Sequence, residues 1–246
     1  MKTVKNFGKV GLGGNMFLVF ILVIISFFTG YLFFRVQSLE KNQTAGVAKQ
    51  QQPAETQPNV KVNIKDVSVE GEPYIGDPDA PITMAYWLDF QCPFCQKFET
   101  DTLPTLIKNY VETGKLKIVF KDFQFLGDDS QTAGLVANAV WEIAPKSYQA
   151  WHEAMYKNQD DENGGWGKKE DIIAMTRTIS GVDADRVSAL MEEKKDSYQK
   201  ELEEDNKEGA KFGVNGTPSV VIGEQMIVGA QPLATFTQVI DALLEK

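Results

Sequence analysis

The chain has 246 residues, enough for one large domain or two small ones. Its 43% hydrophobic and 24% charged residues exclude both wholesale disorder and a polytopic membrane protein, and 34 acidic against 25 basic residues, net −9, exclude a general nucleic-acid binder. Two cysteines and one histidine cannot build a four-ligand Cys/His zinc site within one molecule or a multi-bridge scaffold; they can make one disulfide.

The first predicted element is a membrane span. No charged residue lies between Lys9 and Arg35, and the apolar run from Met16 to Phe34 would extend roughly 28 Å as a helix. Residues 16–35 are therefore expected to be a transmembrane anchor, and Lys2, Lys5 and Lys9 place residues 1–15 in the cytoplasm by the positive-inside rule. A cleaved signal peptide is the competing reading, opposed by the length of the apolar run and by the distance to the nearest small-residue pair, Gly46 and Ala48. Residues 36–60 hold six glutamines and two prolines with few large apolar side chains, which predicts a flexible linker spanning roughly 28 Å as a coil. The part beyond Phe34 carries 22 basic and 34 acidic groups, so the expected exported portion is acidic.

Residues 61–246 are expected to form one α/β domain. Apolar runs at Ile82 to Leu88, Ile118 to Phe120, Ser219 to Ile222 and Met226 to Val228 read as buried strands. Between the second and third lies a helical block. Ala133, Val136, Ala137, Val140, Trp141 and Ala144 fall on one helical face, Tyr148, Trp151, Met155 and Tyr156 continue the pattern, and a further helix is expected from about Asp183 to Asn206. Strands flanking helices suggest a sheet domain with a helical insertion at about 128–207.

The chemistry centres on Cys92-Pro93-Phe94-Cys95, directly after the first long strand. Proline suits the first helical position, where its missing N–H costs no bond. Cys92 then caps the helix and Cys95 lies one turn on, within reach of a disulfide. Unpaired N–H groups and the helix dipole at the cap favour the Cys92 thiolate, so Cys92 is expected to attack and Cys95 to resolve. Half a zinc site completed by dimerisation and a merely structural bridge are the alternatives, the second closing too small a loop to stabilise much.

Five motifs in order make the chain from about Val60 to Lys246 resemble the DsbA-type branch of the thioredoxin superfamily, membrane-tethered disulfide oxidoreductases whose thioredoxin fold carries an inserted helical domain. They are Gly76 to Pro81, Asp89 to Cys95, Phe120 to Phe123, Gly213 to Ser219, and Gly229 to Pro232. The resemblance implies a cis Thr217-Pro218 peptide facing the cysteines, with the Thr217 backbone and exposed Phe94 binding an extended client segment. It implies no cofactor and no metal. The partners implied are exported proteins with cysteine pairs and a quinone-linked membrane reoxidase of the DsbB or vitamin K epoxide reductase type, needed because the chain has no third cysteine. The location implied is the bacterial cytoplasmic membrane, single-pass, with the C-terminal domain extracytoplasmic.

One departure concerns the redox potential. The best-known oxidase of the family has histidine after the motif proline, whereas Phe94 cannot carry a charge to stabilise a thiolate. Pro93, Phe94 and Asp89 are the candidate redox-tuning residues, Asp89 through its charge if partly buried and otherwise a solvated strand-end residue. Lys121 and Asp122 either tune the site similarly or pair with each other. His152 is expected to be a satisfied packing residue, Phe90 and Met226 are weaker groove candidates, and the acidic run at Glu201, Glu203, Glu204 and Asp205 is expected to be a solvated face. The expected activity is transfer of the Cys92–Cys95 disulfide to exported proteins. A reductase or isomerase using the same pair, and a non-catalytic tethered binding module, remain as alternatives.

Overall fold

A computed structural model describes residues 62–162 and 164–245. The expected cytoplasmic segment, anchor and linker at residues 1–60 lie outside the described residues. Among those described, no helix is long and apolar enough to cross a membrane.

Five strands form one sheet: β1 (Tyr74–Ile75), β2 (Ile82–Leu88), β3 (Leu116–Asp122), β4 (Ser219–Ile222) and β5 (Gln225–Val228), in spatial order β1-β3-β2-β4-β5. The β2–β3 pair is parallel and the others antiparallel. Strand β2 is central and buried at every residue but Thr83, which explains its continuous apolar run. Its side chains alternate between two cores. Met84, Tyr86 and Leu88 face the large core shared with most of the helices, while Ala85 and Trp87 face a smaller one closed by Val62, Val67, Phe212 and Val214.

The β2–β3 connection is helical from Pro93 almost to Gly114: α1 (Pro93–Asp101), a break at Thr102, then α2 (Leu103–Leu106), which widens into a π-helical turn at Ile107–Val111. Pro104 sits at the start of α2, where a missing N–H is tolerated. Between β3 and β4 come α3 (Asp128–Ile143), α4 (Tyr148–Asn158), α5 (Lys169–Thr176), α6 (Ala184–Glu193) and α7 (Lys195–Phe212), and α8 (Leu233–Leu244) follows β5. This is a thioredoxin-like α/β fold with a helical insertion. Helix α3 is its centre, buried well beyond the single predicted face, with Leu135 and Ala139 also enclosed. Gly134 permits that packing, since a Cβ there would lie 2.7 Å from the Leu202 side chain.

One predicted element is corrected. The single helix expected from Asp183 to Asn206 is two, broken at Lys194 (φ −108°, ψ 15°), and the second continues to Phe212. The apolar stripe through Val187, Leu190, Met191, Tyr198 and Leu202 keeps its period across the break, so the pattern carried no sign of it. Lys194 is held by Glu142 at 2.6 Å. Gly213, at φ +88°, ends α7 in the left-handed conformation while Val214 N–H bonds back to Gly209.

Candidate active site

Strand β2 ends at Leu88, and the turn through Asp89, Phe90 and Gln91 delivers Cys92 to the N-cap of α1 with Pro93 in the first turn. The turn is fixed by its own backbone, Cys92 N–H donating to the Asp89 carbonyl at 3.1 Å. Both cysteines are free thiols. Cys92 is 5% exposed and Cys95 fully buried.

The two thiols have opposite acidities. Cys92 is lowered from 9.0 to about 6, first by its hydrogen bond with the Cys95 thiol and further by Thr217 and the backbone N–H groups of Cys95 and Phe94, against the opposing effect of burial. Cys95 is pushed well above 9.0 by burial and then by its bond to, and the charge of, Cys92. The helix N–H groups anticipated from the cap position contribute, but the partner thiol contributes most.

The chain approaches this pair again where α7 gives way to β4. Thr217-Pro218 is a cis peptide, and the Cys92 thiol donates to the Thr217 carbonyl at 3.3 Å. Ser219 steadies the loop by donating to the Gly216 carbonyl at 2.7 Å, and Gly229 N–H donates to the Pro218 carbonyl at 2.7 Å. Thr217 Oγ1 is buried beside both sulfurs. Phe94 is 62% exposed beside the cysteines, and Pro93 is exposed too.

Asp89 is not a solvated strand end. Its carboxylate is fully buried and accepts the N–H groups of Gln91 (2.9 Å), Phe125 (2.9 Å) and Leu126 (3.2 Å). Burial raises its pKa and those bonds oppose the rise. Asp89 therefore ties the cysteine turn to the loop after β3, and so places Phe125, 51% exposed, at the surface. The sequence did not mark Phe125, because an aromatic residue in a short loop has no periodic signal.

Other expectations are corrected. Lys121 and Asp122 do not pair, because neighbours on a strand point to opposite faces. Lys121 is buried with Glu72 at 2.6 Å, Glu208 at 3.3 Å, and Asp205. Asp122 accepts from Gln124 and Asn138 at 2.6 and 3.1 Å. Asp205 is thus a buried ion-pair partner and no part of a solvated face. Phe90 is core, edge-on to Trp151 at 5.6 Å, whereas Met226 is half-buried on edge strand β5. His152 is buried among Phe90, Phe120, Tyr148 and Tyr156 but only half satisfied: Nε2 meets Glu99 at 2.8 Å, while Nδ1 has no partner. Among the described residues no group of three or more His, Cys, Asp or Glu is arranged to hold a metal ion.

A family profile described as "Thioredoxin" matches residues 68–242. Disulfide bond formation protein D of Bacillus subtilis is 25% identical over 160 residues, covering 65% of this chain and 71% of that protein. The crystal structure of oxidised BdbD from Bacillus subtilis superposes with a TM-score of 0.69 at 23% identity, covering 76% of this chain and 98% of the other. That of alpha-DsbA2 from Wolbachia pipientis, a thiol-disulfide exchange protein, gives 0.61 at 26% identity, covering 70% and 87%.

Proposed function

The chain belongs to the thioredoxin family and is a thiol-disulfide oxidoreductase, and from that premise we propose that Cys92 and Cys95 are its redox pair, used to oxidise cysteine pairs in exported proteins. The observation that carries the assignment is the opposed acidity of two sulfurs one helical turn apart, a stabilised thiolate at the surface side and a buried thiol beneath it.

In the oxidised protein a client thiolate attacks the Cys92 sulfur. The Cys92–Cys95 bond breaks, its electron pair passes to Cys95, and Cys95 takes a proton. The client's second thiolate then attacks the client sulfur of the mixed disulfide, forming the client disulfide and expelling Cys92 as thiolate. A thiol held at about 6 leaves readily and stabilises the reduced form, which makes the bridge oxidising. Cys92 therefore retains thiolate stabilisation despite the uncharged Phe94. Thr217, beside the cis bond and within 3.3 Å of Cys92, would pair with the client backbone while Phe94 offers apolar surface to an unfolded segment. Pro93 presets the helix start and Asp89 fixes the turn that aims Cys92, which is their part in tuning the potential.

The apolar run at 16–35 and the basic residues before it support a single-pass anchor in a bacterial cytoplasmic membrane, with residues 36–60 as the linker and 61–246 as the extracytoplasmic domain carrying its insertion at about 128–207. Two cysteines cannot pass electrons onward within the chain, so a quinone-linked membrane protein of the DsbB or vitamin K epoxide reductase type would reoxidise it.

The test is to mix the oxidised protein with a reduced two-cysteine client and follow client disulfides. Stoichiometric oxidation is expected, with complete loss in Cys92→Ser. A reduction potential near thioredoxin's, about −270 mV, would overturn the oxidase direction.

A further inference from the structure

Glu99 on α1 is a buried carboxylate that the exchange steps above leave unused, and it has no cation. It is 7% exposed, its Oε1 meets His152 Nε2 at 2.8 Å, and among the described residues no lysine or arginine stands within ion-pair distance of it. His152 offers a hydrogen bond and not a charge, because its Nδ1 has no acceptor and a second ring proton would be stranded there. A buried carboxylate needs a cation or several donors, as Asp205 has Lys121 and Asp89 has the N–H groups of Gln91, Phe125 and Leu126. Glu99 has neither.

What Glu99 does face is space. A cavity of about 380 Å³ lies between α1 and α4, with Glu99 and Tyr156 at its inner wall, Pro104 beside them, and Thr100, Glu153 and Lys157 at its mouth. Lys157 is 72% exposed and paired with Glu153 at 3.3 Å, so the two mouth charges offset each other and Glu99 sets the sign within. Apolar walls around one buried negative charge are the complement of a long side chain with an apolar stem and a cationic head. The cavity is also aligned with the reactive sulfur. Cys92, Gln96 and Glu99, spaced i, i+4, i+7, form one stripe of α1. Gln96 closes the seam between the sulfur and the cavity by donating to the Tyr156 and Gln159 carbonyls at 3.0 and 3.2 Å. The rise from Cys92 to Glu99 is about 10 Å at 1.5 Å per residue, a distance that an extended segment covers in about three residues.

We propose that the cavity between α1 and α4 receives an arginine side chain of the client, about three residues from the client cysteine that bonds to Cys92, with Glu99 taking its guanidinium. This rests on the reading of Cys92 and Cys95 as the redox pair. The methylene stem lies along Pro104 and the Tyr156 ring, and the planar head meets the carboxylate oxygen that His152 leaves free. Glu99 is thus a specificity residue, reading the charge of the segment that Thr217 and Phe94 hold.

The experiment uses reduced two-cysteine peptides that differ at one residue, arginine or its neutral isostere citrulline, placed three residues before or three residues after the first cysteine. The full chain oxidises them at low salt, with oxidised glutathione to renew its disulfide, and kcat and KM are read for each. In one of the two placements the arginine peptide should have a KM about tenfold below that of its citrulline twin, with equal kcat. Glu99→Gln should bring the two KM values together, an effect on charge selection that a merely structural role for Glu99 would not produce. Thr100→Tyr, which blocks the mouth from an exposed position, should do the same and decides if Glu99→Gln does not fold. Equal KM values in both placements, or a preference that survives in both folded variants, would overturn the proposal. Peptide oxidation undiminished in Cys92→Ser would overturn the redox-pair reading itself, a result distinct from equal KM values beside an inactive Cys92→Ser.

Discussion

Two buried polar regions lie on opposite faces of the same sheet, and they are built on different terms. Around Lys121, which is 1% exposed, Glu72, Asp205 and Glu208 close in as ion partners, and the Lys121 ammonium also donates to the Ser68 carbonyl at 3.0 Å. Around the cysteines, the Tyr86 hydroxyl and Thr217 Oγ1 are buried beside the sulfurs, and His152 Nδ1 is buried with no hydrogen-bond partner. A structural cluster sets its cation among carboxylates that hold the fold, whereas a reactive one sets neutral hydroxyls beside sulfurs whose charge changes during turnover.

Removing the cation from the first region should have the largest effect. Lys121→Met leaves three acids without their shared partner and should cost about 3–5 kcal/mol of stability at neutral pH, measured by urea unfolding. Burial, and then the Asp205 charge, raise Glu72 from 4.5 to about 8 against the pull of Lys121, a rise that losing Lys121 would enlarge, and a folded value above the unfolded one gives stability that grows as the pH falls. Asp122 stands at about 7, raised by burial. Part of the lost stability should therefore return as the pH falls from 7 to 5, and a deficit that stayed constant with pH would show that the cluster is held by packing instead.

The second region should respond to pH through the redox state. A thiol whose folded pKa is depressed contributes stability that is complete above its unfolded value near 9 and is lost as the pH falls through about 6. The disulfide form has no such group. The stability of the reduced protein relative to the oxidised one should thus fall by about 1 kcal/mol from pH 7 to pH 5, allowing for partial solvent screening. Calorimetry of both forms at the two pH values checks this, and an unchanged difference would mean that Cys92 titrates like an ordinary thiol. The smallest effect belongs to Phe94→Ala: stability within about 0.5 kcal/mol of wild type, because the side chain is exposed, with weaker client affinity read as a raised KM.

The parts of the fold legible in the sequence are those set by local periodicity or by short motifs. β2 and β4 were visible as unbroken apolar runs because the sheet is covered on both faces, and the helix start at Cys92-Pro93 because proline tolerates so few positions. β1, two residues long, carries no period at all. The break at Lys194 was silent because the buried stripe stays in phase across it. At the site, the cysteines and Thr217-Pro218 could be picked out by type and spacing, but Glu99, His152 and Tyr86 come from three separate elements and meet only through tertiary packing. Tyr86 was absorbed into a strand pattern that counts its ring and ignores its hydroxyl. The companions of Lys121 were hidden the same way, since Glu72, Asp205 and Glu208 approach it from segments distant in the chain.

The start of the described chain also has a mechanical side. Val62 and Val67 plug the smaller core over Ala85 and Trp87, and Ile64 N–H is fastened to the Gly223 carbonyl at 2.7 Å, in the β4–β5 turn. That turn lies at the end of β4 opposite Pro218, so tension along the incoming chain would load the sheet at the end away from the sulfurs and leave the reactive end unstrained. A soluble fragment for biochemistry would accordingly have to begin no later than Val62, since cutting past Val67 would uncover a tryptophan.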